Sequence, residues 1–320
     1  MDYSVIIRTI GKAGEKYQRL LTSIKQSEIQ PKEIIVVLPE GYDPPSEKLG
    51  TETYLFCKKG MVNQRLVGIH ACKTPYALIL DDDIAFEPDF IEIVSAPVAG
   101  GAYGLSAGPL TEFFPDRGKQ TFLSAVMGLA CPTVFHKNRY NTVLNTTGYS
   151  YNRHIRPGRL YETQSAPWTC FFADIEKLKS IRFDDECWLD MHGYSAYDDT
   201  AMFYKAWLCG VKSVIVADAS YQHLDAGTSR NGVSTQYYYN RGFNSYIFWK
   251  RLLCCNKNTF SKTLSYIPFR YHELVCGLFY RLLYGKKASV AYRQGCREAR
   301  TWVKSDAYRA LPRIICRRSS

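Results

Sequence analysis

Three consecutive carboxylates, Asp81-Asp82-Asp83, close the apolar run Tyr76-Ala77-Leu78-Ile79-Leu80. Acids crowded at the tip of a core strand repel one another and lose solvation. A hard divalent cation relieves both costs, because Mg2+ or Mn2+ takes oxygen ligands and also binds phosphate. The competing reading is an acidic turn or helix cap, where Asp is common. A second pair, Asp198-Asp199, stands directly before the helical pattern of Thr200 to Leu208. One acid satisfies a helix N-terminus; the other, if it faces the pocket of Asp83, can take a proton from a substrate hydroxyl. The helix dipole favours the anion, so such a base depends on desolvation and placement. His223, just after a strand, is either a neutral imidazole ligand for the same cation or an ordinary polar histidine. Arg8-Thr9 ends the first strand, where Arg8 meets a phosphate or only solvent.

The elements that must position these groups alternate along the chain. Tyr3 to Ile7 reads as a strand, and Glu15 to Gln26 as a helix with Tyr17, Leu20, Leu21 and Ile24 on one face. Strands follow at Glu33 to Leu38 and Tyr54 to Phe56, then a helix over Met61 to Ala71 and the strand that enters the acidic triplet. Short apolar strands alternating with amphipathic helices specify an α/β fold, a mostly parallel sheet covered on both faces. Ligands in such sheets bind at the carboxyl ends of the strands, where Asp81 to Asp83 lie. After Pro88 the pattern becomes irregular, and residues 98–165 read as long loops around a few strands. Order returns at Trp168 to Ala173, at the helix ending before Cys209-Gly210, and at the strand Ser213 to Ala217. Beyond Tyr237 the chain reads as helical, basic and aromatic.

Composition narrows the classes. With 46% hydrophobic and 22% charged residues the chain is globular rather than disordered. The 24 tyrosines suit stacking on sugars or bases, or a Tyr-rich core. The opening MDYSVIIRTI has no basic leader, and the eleven cysteines show no CxxC spacing, so the expectation is a cytoplasmic chain with reduced thiols. The net charge of +11 is lopsided. Arg241 to Ser320 holds 17 Lys and Arg against 3 Asp and Glu, a surplus larger than the whole, so residues 1–240 are slightly acidic. No helix-turn-helix, RNA-recognition or zinc signature accompanies that charge, so a nucleic-acid partner is not expected. Basic residues alternate with Tyr246, Ile247, Phe248, Trp249, Leu252 and Leu253, which reads as an interfacial helix on an anionic inner leaflet. The bland reading is a solvated basic face.

In its motifs and their order the chain resembles the GT-A glycosyltransferases, specifically glycosyltransferase family 2. SVIIRT is similar to that family's opening SVIIPT block, and KEIIVVL to its second strand. Asn63 to Ile69 stands in the place of its ARNxGI helix and keeps Arg65 and Gly68. LDDDI resembles its DXD motif, and Phe183 to Glu186, Tyr197-Asp198-Asp199 and His223 resemble its GFDE, ED and late His blocks. The resemblance covers about residues 1–225 and implies a GT-A catalytic domain over 1–235, with a nucleotide-sugar half (1–97) and an acceptor half (98–235). A helical extension (236–320) follows.

It also implies an inverting transfer from a nucleotide-diphosphate sugar to a glycan or lipid-linked acceptor, as in bacterial surface polysaccharide synthesis, by an enzyme peripheral to the inner face of the cell membrane. Carried over by residue, Asp83 holds Mg2+ or Mn2+, His223 contacts that metal or a phosphate, and Asp81 reaches the ribose or a metal-bound water. Asp199 is the base, braced by Asp198. Arg8, Thr9, Arg65, Asp82 and Glu40 fall on the donor side. Two positions depart from the pattern: Leu38-Pro39-Glu40 replaces an acidic pair that reads the nucleobase, leaving only Glu40, and Arg8 replaces the usual Pro. A sugar nucleotidyltransferase is the rival enzyme, although Gly11-Lys12-Ala13-Gly14 matches its phosphate loop thinly. A non-catalytic binder on the same fold has no use for both Asp83 and Asp199.

Overall fold

Buried aliphatic runs form the centre of the sheet, and their order sets where the carboxylates emerge. The computed structural model describes residues 1–115, 117–134, 137–224 and 234–317. The first half supplies β1 (Tyr3–Arg8), α1 (Glu15–Gln26), β2 (Glu33–Pro39), β3 (Glu52–Cys57), α2 (Met61–Ala71) and β4 (Tyr76–Asp81). A short β5 (Ile84–Phe86) and α3 (Phe90–Ala99) complete it. Strands β1 to β4 pair in parallel, with Arg8 directly beside Asp81 in the register. Residues Tyr17, Leu20, Leu21 and Ile24 of α1 are buried, as their spacing predicts. On the other face α2 lies so close to β1 that a Cβ at Gly68 would collide with the Ile6 side chain. That contact is the physical reason for glycine in the middle of this helix.

The second half is less regular. It contains β6 (Leu105–Ala107), α4 (Lys119–Val126), β7 (Ala130–Pro132), β8 (Asn141–Val143), β9 (Tyr149–Tyr151) and β10 (Leu160–Glu162). Then come β11 (Cys170–Asp174), α5 (Ile175–Ser180), α6 (Asp198–Leu208), β12 (Ser213–Val216) and β13 (Tyr221–His223). The main sheet has eight strands in the order β10-β12-β6-β11-β4-β1-β2-β3. Strand β11 runs antiparallel to both β4 and β6, so the sheet is mixed where it meets the second half. Strands β7, β9 and β8 make a small separate sheet, and β13 pairs antiparallel with β5.

Two sequence expectations need correction. Helix α3 falls where the pattern looked irregular after Pro88; it is apolar and carries Pro97 in its last turn, so it lacks a clear polar face. The chain beyond Tyr237 is helical as expected: α7 (Thr235–Phe248), a π-turn over Trp249–Leu253, α8 (Thr259–Tyr284), α9 (Lys286–Trp302) and α10 (Asp306–Arg309). The proposed membrane-facing residues, however, point inward. Ile247, Phe248, Trp249, Leu252 and Leu253 are buried and belong to the same core as Ile6, Ile79 and Phe171. Burial in the core shared with the sheet uses this apolar surface, so it is not free to meet lipid. The last three residues of the basic stretch lie outside the described residues.

Candidate active site

The site is built at the carboxyl ends of β1 and β4 and the first turn of α6. Asp81 ends β4 and is nearly buried; its Oδ1 accepts from Arg8 Nε at 3.0 Å and Arg65 Nη2 at 2.7 Å. Burial alone would raise its carboxyl, but the charges of Arg65 and Arg8 outweigh it and hold it below the usual range. Thr9 Oγ1 donates to Asp82 Oδ2 at 2.5 Å and accepts from Gly11 N at 2.9 Å, fastening the turn after β1 to the turn after β4. Burial pushes the Asp82 carboxyl up to about 6. Glu40 stands exposed just beyond β2. In the glycine turn, Lys12 Nζ lies 5.7 Å from the Tyr42 ring centre.

Arg65 departs from its expected role. It is 1% exposed, so it cannot present its guanidinium to a donor without moving. Its Nη1 and Nη2 donate to Asp81, to the carbonyls of Met61 and Trp168, and, at 3.5 Å, to Asp198 Oδ2. The guanidinium also lies over the Trp168 ring, 4.6 Å from its centre. Arg65 therefore joins the two carboxylate clusters from beneath. The helix carrying it is capped from a distance: Asp190 accepts from the backbone of Val62 and Asn63 at the start of α2.

The pairing of β5 with β13 brings His223 to Asp83. His223 sits opposite Ile84, and Leu224 N donates to the Asp83 carbonyl at 2.7 Å. His223 Nε2 is then 3.5 Å from Asp83 Oδ2, and both side chains are mostly buried. Among the described residues no group of three or more His, Cys, Asp or Glu side chains forms a ready metal cage. An oxygen donor and an imidazole facing one another nevertheless fit a divalent cation whose remaining ligands come from phosphate and water. The Phe113 ring meets His223 edge-on, with centres 5.4 Å apart.

Phe113 also lines the cavity of about 440 Å3 beside Asp199. Tyr149, Tyr197, Tyr237, Tyr280 and Arg241 share its wall. A second cavity, about 260 Å3, meets the first at Phe113, Tyr149, Asp199 and Thr200. Arg241 lies over the rings of Tyr197 and Tyr237, at 5.3 and 5.7 Å, a cation held among aromatics. Apart from Tyr197, which stands in the Tyr197-Asp198-Asp199 motif, none of these wall residues was legible as part of the site in the sequence. They come from segments far apart along the chain, and α7 and α8 contribute directly.

The acidic pair divides its roles. Neither residue is the N-cap: that position is Tyr197, at φ +73°, a left-handed conformation that costs a non-glycine residue about 1–3 kcal/mol. Tyr197 is held there by stacking on Phe248. Asp198 faces Arg65, whereas Asp199 faces the cavities, its Oδ1 accepting from Thr200 N at 2.6 Å. Burial first and the Asp199 charge second push the Asp198 carboxyl up to about 7. Burial also raises Asp199. Beneath α6, the fully buried Glu186 accepts from Lys205 Nζ at 2.8 Å, Arg251 Nε at 2.7 Å and Trp188 Nε1 at 2.6 Å. Glu186 thus anchors the helix of Asp198-Asp199 to the π-turn that follows α7.

A mixed sheet with carboxylates at the end of β4 and at the start of α6, plus a helical C-terminal region, is a GT-A fold. No protein-family model matches the sequence, and no curated protein matches it. Among solved structures the chain is similar to GalNAc-T7 with UDP, GalNAc and Mn2+, at TM-score 0.52 and 12% identity. That alignment covers 98% of this chain and 58% of the other, so the chain spans little more than half that protein's length. It is also similar to S. aureus TarS 1-349 in complex with UDP-GlcNAc, at TM-score 0.47 and 13% identity, covering 94% and 92%. At such identities the fold is what is shared, and the chemistry must be argued from the side chains.

Proposed function

We propose that the chain is an inverting, divalent-metal-dependent glycosyltransferase of the family 2 kind. It would move a sugar from a nucleoside-diphosphate donor to a glycan or lipid-linked hydroxyl in the aromatic cavity. One observation carries this reading: Asp83 and His223 face each other at the strand ends, while Asp199 looks into a cavity that Phe113 joins to His223. The likeness to a protein crystallised with UDP, GalNAc and Mn2+ supports the donor class and the metal.

Asp83 and His223 would hold Mg2+ or Mn2+, which when bound offsets the charge developing on the departing diphosphate. Arg8, partly exposed beside Asp81, is placed to meet donor phosphate, and Glu40 to meet the nucleobase. The acceptor hydroxyl loses its proton to Asp199 while its oxygen attacks the anomeric carbon. The bond from that carbon to the diphosphate oxygen breaks on the opposite side. A single displacement inverts the anomeric centre. Thr9, Asp82, Arg65 and Asp198 hold the carboxylates in place.

Thermal stabilisation by nucleotide sugars in the presence of Mn2+, followed by product analysis, tests the reading. Asp83→Ala should abolish metal-dependent stabilisation, and Asp199→Asn should keep it while losing transfer. Full transfer by Asp199→Asn removes that residue from the base role.

A further inference from the structure

Helix α8 turns an apolar row outward. Phe260, Leu264, Ile267, Tyr271, Leu274 and Leu278 recur at alternating four- and three-residue spacing, and Leu282 continues the row. These side chains are 47–71% exposed, whereas Ser265, Phe269, His272, Cys276 and Tyr280 make the buried stripe. Among the described residues this row is met at Tyr271, whose hydroxyl donates to the Val126 carbonyl at the end of α4 at 2.8 Å, and the apolar side chains on either side of it stay exposed. The row runs about 33 Å along the helix, and monomers rarely leave so long an apolar surface in water. It is separate from the Ile247 to Leu253 segment, whose apolar groups are used in the core.

Charge indicates what covers it. Helix α8 has one carboxylate, Glu273, which is buried and paired with Arg270 and Arg300. Arg281 is exposed beside Leu282, and exposed Lys286 and Lys287 open α9 immediately afterwards. A second copy packed along this row would oppose cation to cation with no exposed acid on α8 to pair them. An anionic lipid surface takes both the apolar row and the cations. Among the described residues no helix is long and apolar enough to cross a membrane, so this geometry is one of lying on the surface. The same helix end borders the site: Leu283 and Tyr284 are more than half exposed and line the cavity that holds Asp199.

We propose that α8 docks on an anionic bilayer with its outer row in the acyl boundary, so that the cavity mouth at Leu283 and Tyr284 opens towards the lipid. Naming that cavity an acceptor site rests on the transferase reading; the docking itself rests on the row and its charges.

The test sediments the full chain with phosphatidylcholine vesicles, with and without phosphatidylglycerol, at low and high salt. Beside it runs the triple variant Ile267→Glu, Leu274→Glu, Leu278→Glu, whose positions are exposed and outside the cavity. The wild type should pellet with anionic vesicles, less so at high salt, and the variant should partition at least about tenfold less. The variant should keep the wild-type Tm and Mn2+-dependent UDP binding, which separates loss of docking from failure of the transferase reading. Tyr284→Trp should add fluorescence quenching by brominated lipid over wild type; no added quenching overturns the placement of the mouth. Wild type remaining in the supernatant overturns docking, as does equal pelleting of the variant. A dimer abolished by the variant, without vesicle binding, assigns the row to a second copy instead.

Discussion

Asp198 and Asp199 begin one helix with their carboxyls buried beside each other, and that proximity sets a pH dependence. Both are raised, Asp198 to about 7, by burial and then, for Asp198, by its neighbour's charge. If Asp199 is the base, the acidic limb of the kcat/KM profile should lie above the ordinary carboxylate range. Stability carries the opposite signature. A carboxyl raised in the folded state contributes stability that is present below its unfolded value, about 4, and lost as pH rises towards the folded value. The wild-type Tm should therefore fall more steeply than that of Asp198→Asn between those limits, read by calorimetry at several pH values. Asp199→Asn should lower kcat by about 10²–10⁴-fold, with donor affinity unchanged in titration.

At the scale of elements, Glu186 ties α6, the segment Phe183–Asp190 and the π-turn into one unit. Its carboxyl would be raised by burial, but the charges of Lys205 and Arg251 hold it below the usual range. Glu186→Ala would leave two cations buried without their partner and should cost about 3–5 kcal/mol, measured by denaturant unfolding. An effect under about 1 kcal/mol would show that the node is dispensable. The parallel strands, α1, α2 and both carboxylate clusters were legible because each is a local pattern: a short apolar run, a 3.6-residue stripe, or acids at its end. Arg65 was misplaced because sequence cannot show that a guanidinium points beneath the site rather than into it. The C-terminal segment was misread for a related reason. Arg251, one of the basic residues between the apolar ones of that segment, runs inward to Glu186, and its apolar neighbours are buried with it. The cavity walls were invisible because they meet only through tertiary packing.

At the scale of the whole molecule, one core cluster spans the sheet and the C-terminal helices, and α7 and α8 complete the cavity. Removing residues 235–320 should expose that core, so the truncated chain should fail to give a cooperative thermal transition, whereas the full chain should unfold in one. Two independent transitions in the full chain would mark the helices as a separate unit. The most direct measurement of the central claim is a calorimetric titration of nucleoside diphosphates, UDP first, into wild type and Asp83→Ala with Mn2+ and with chelator. Binding to wild type should weaken at least about tenfold on chelation, and Asp83→Ala should bind weakly in both conditions. Binding that ignores Mn2+, or survives intact in Asp83→Ala, would contradict that claim.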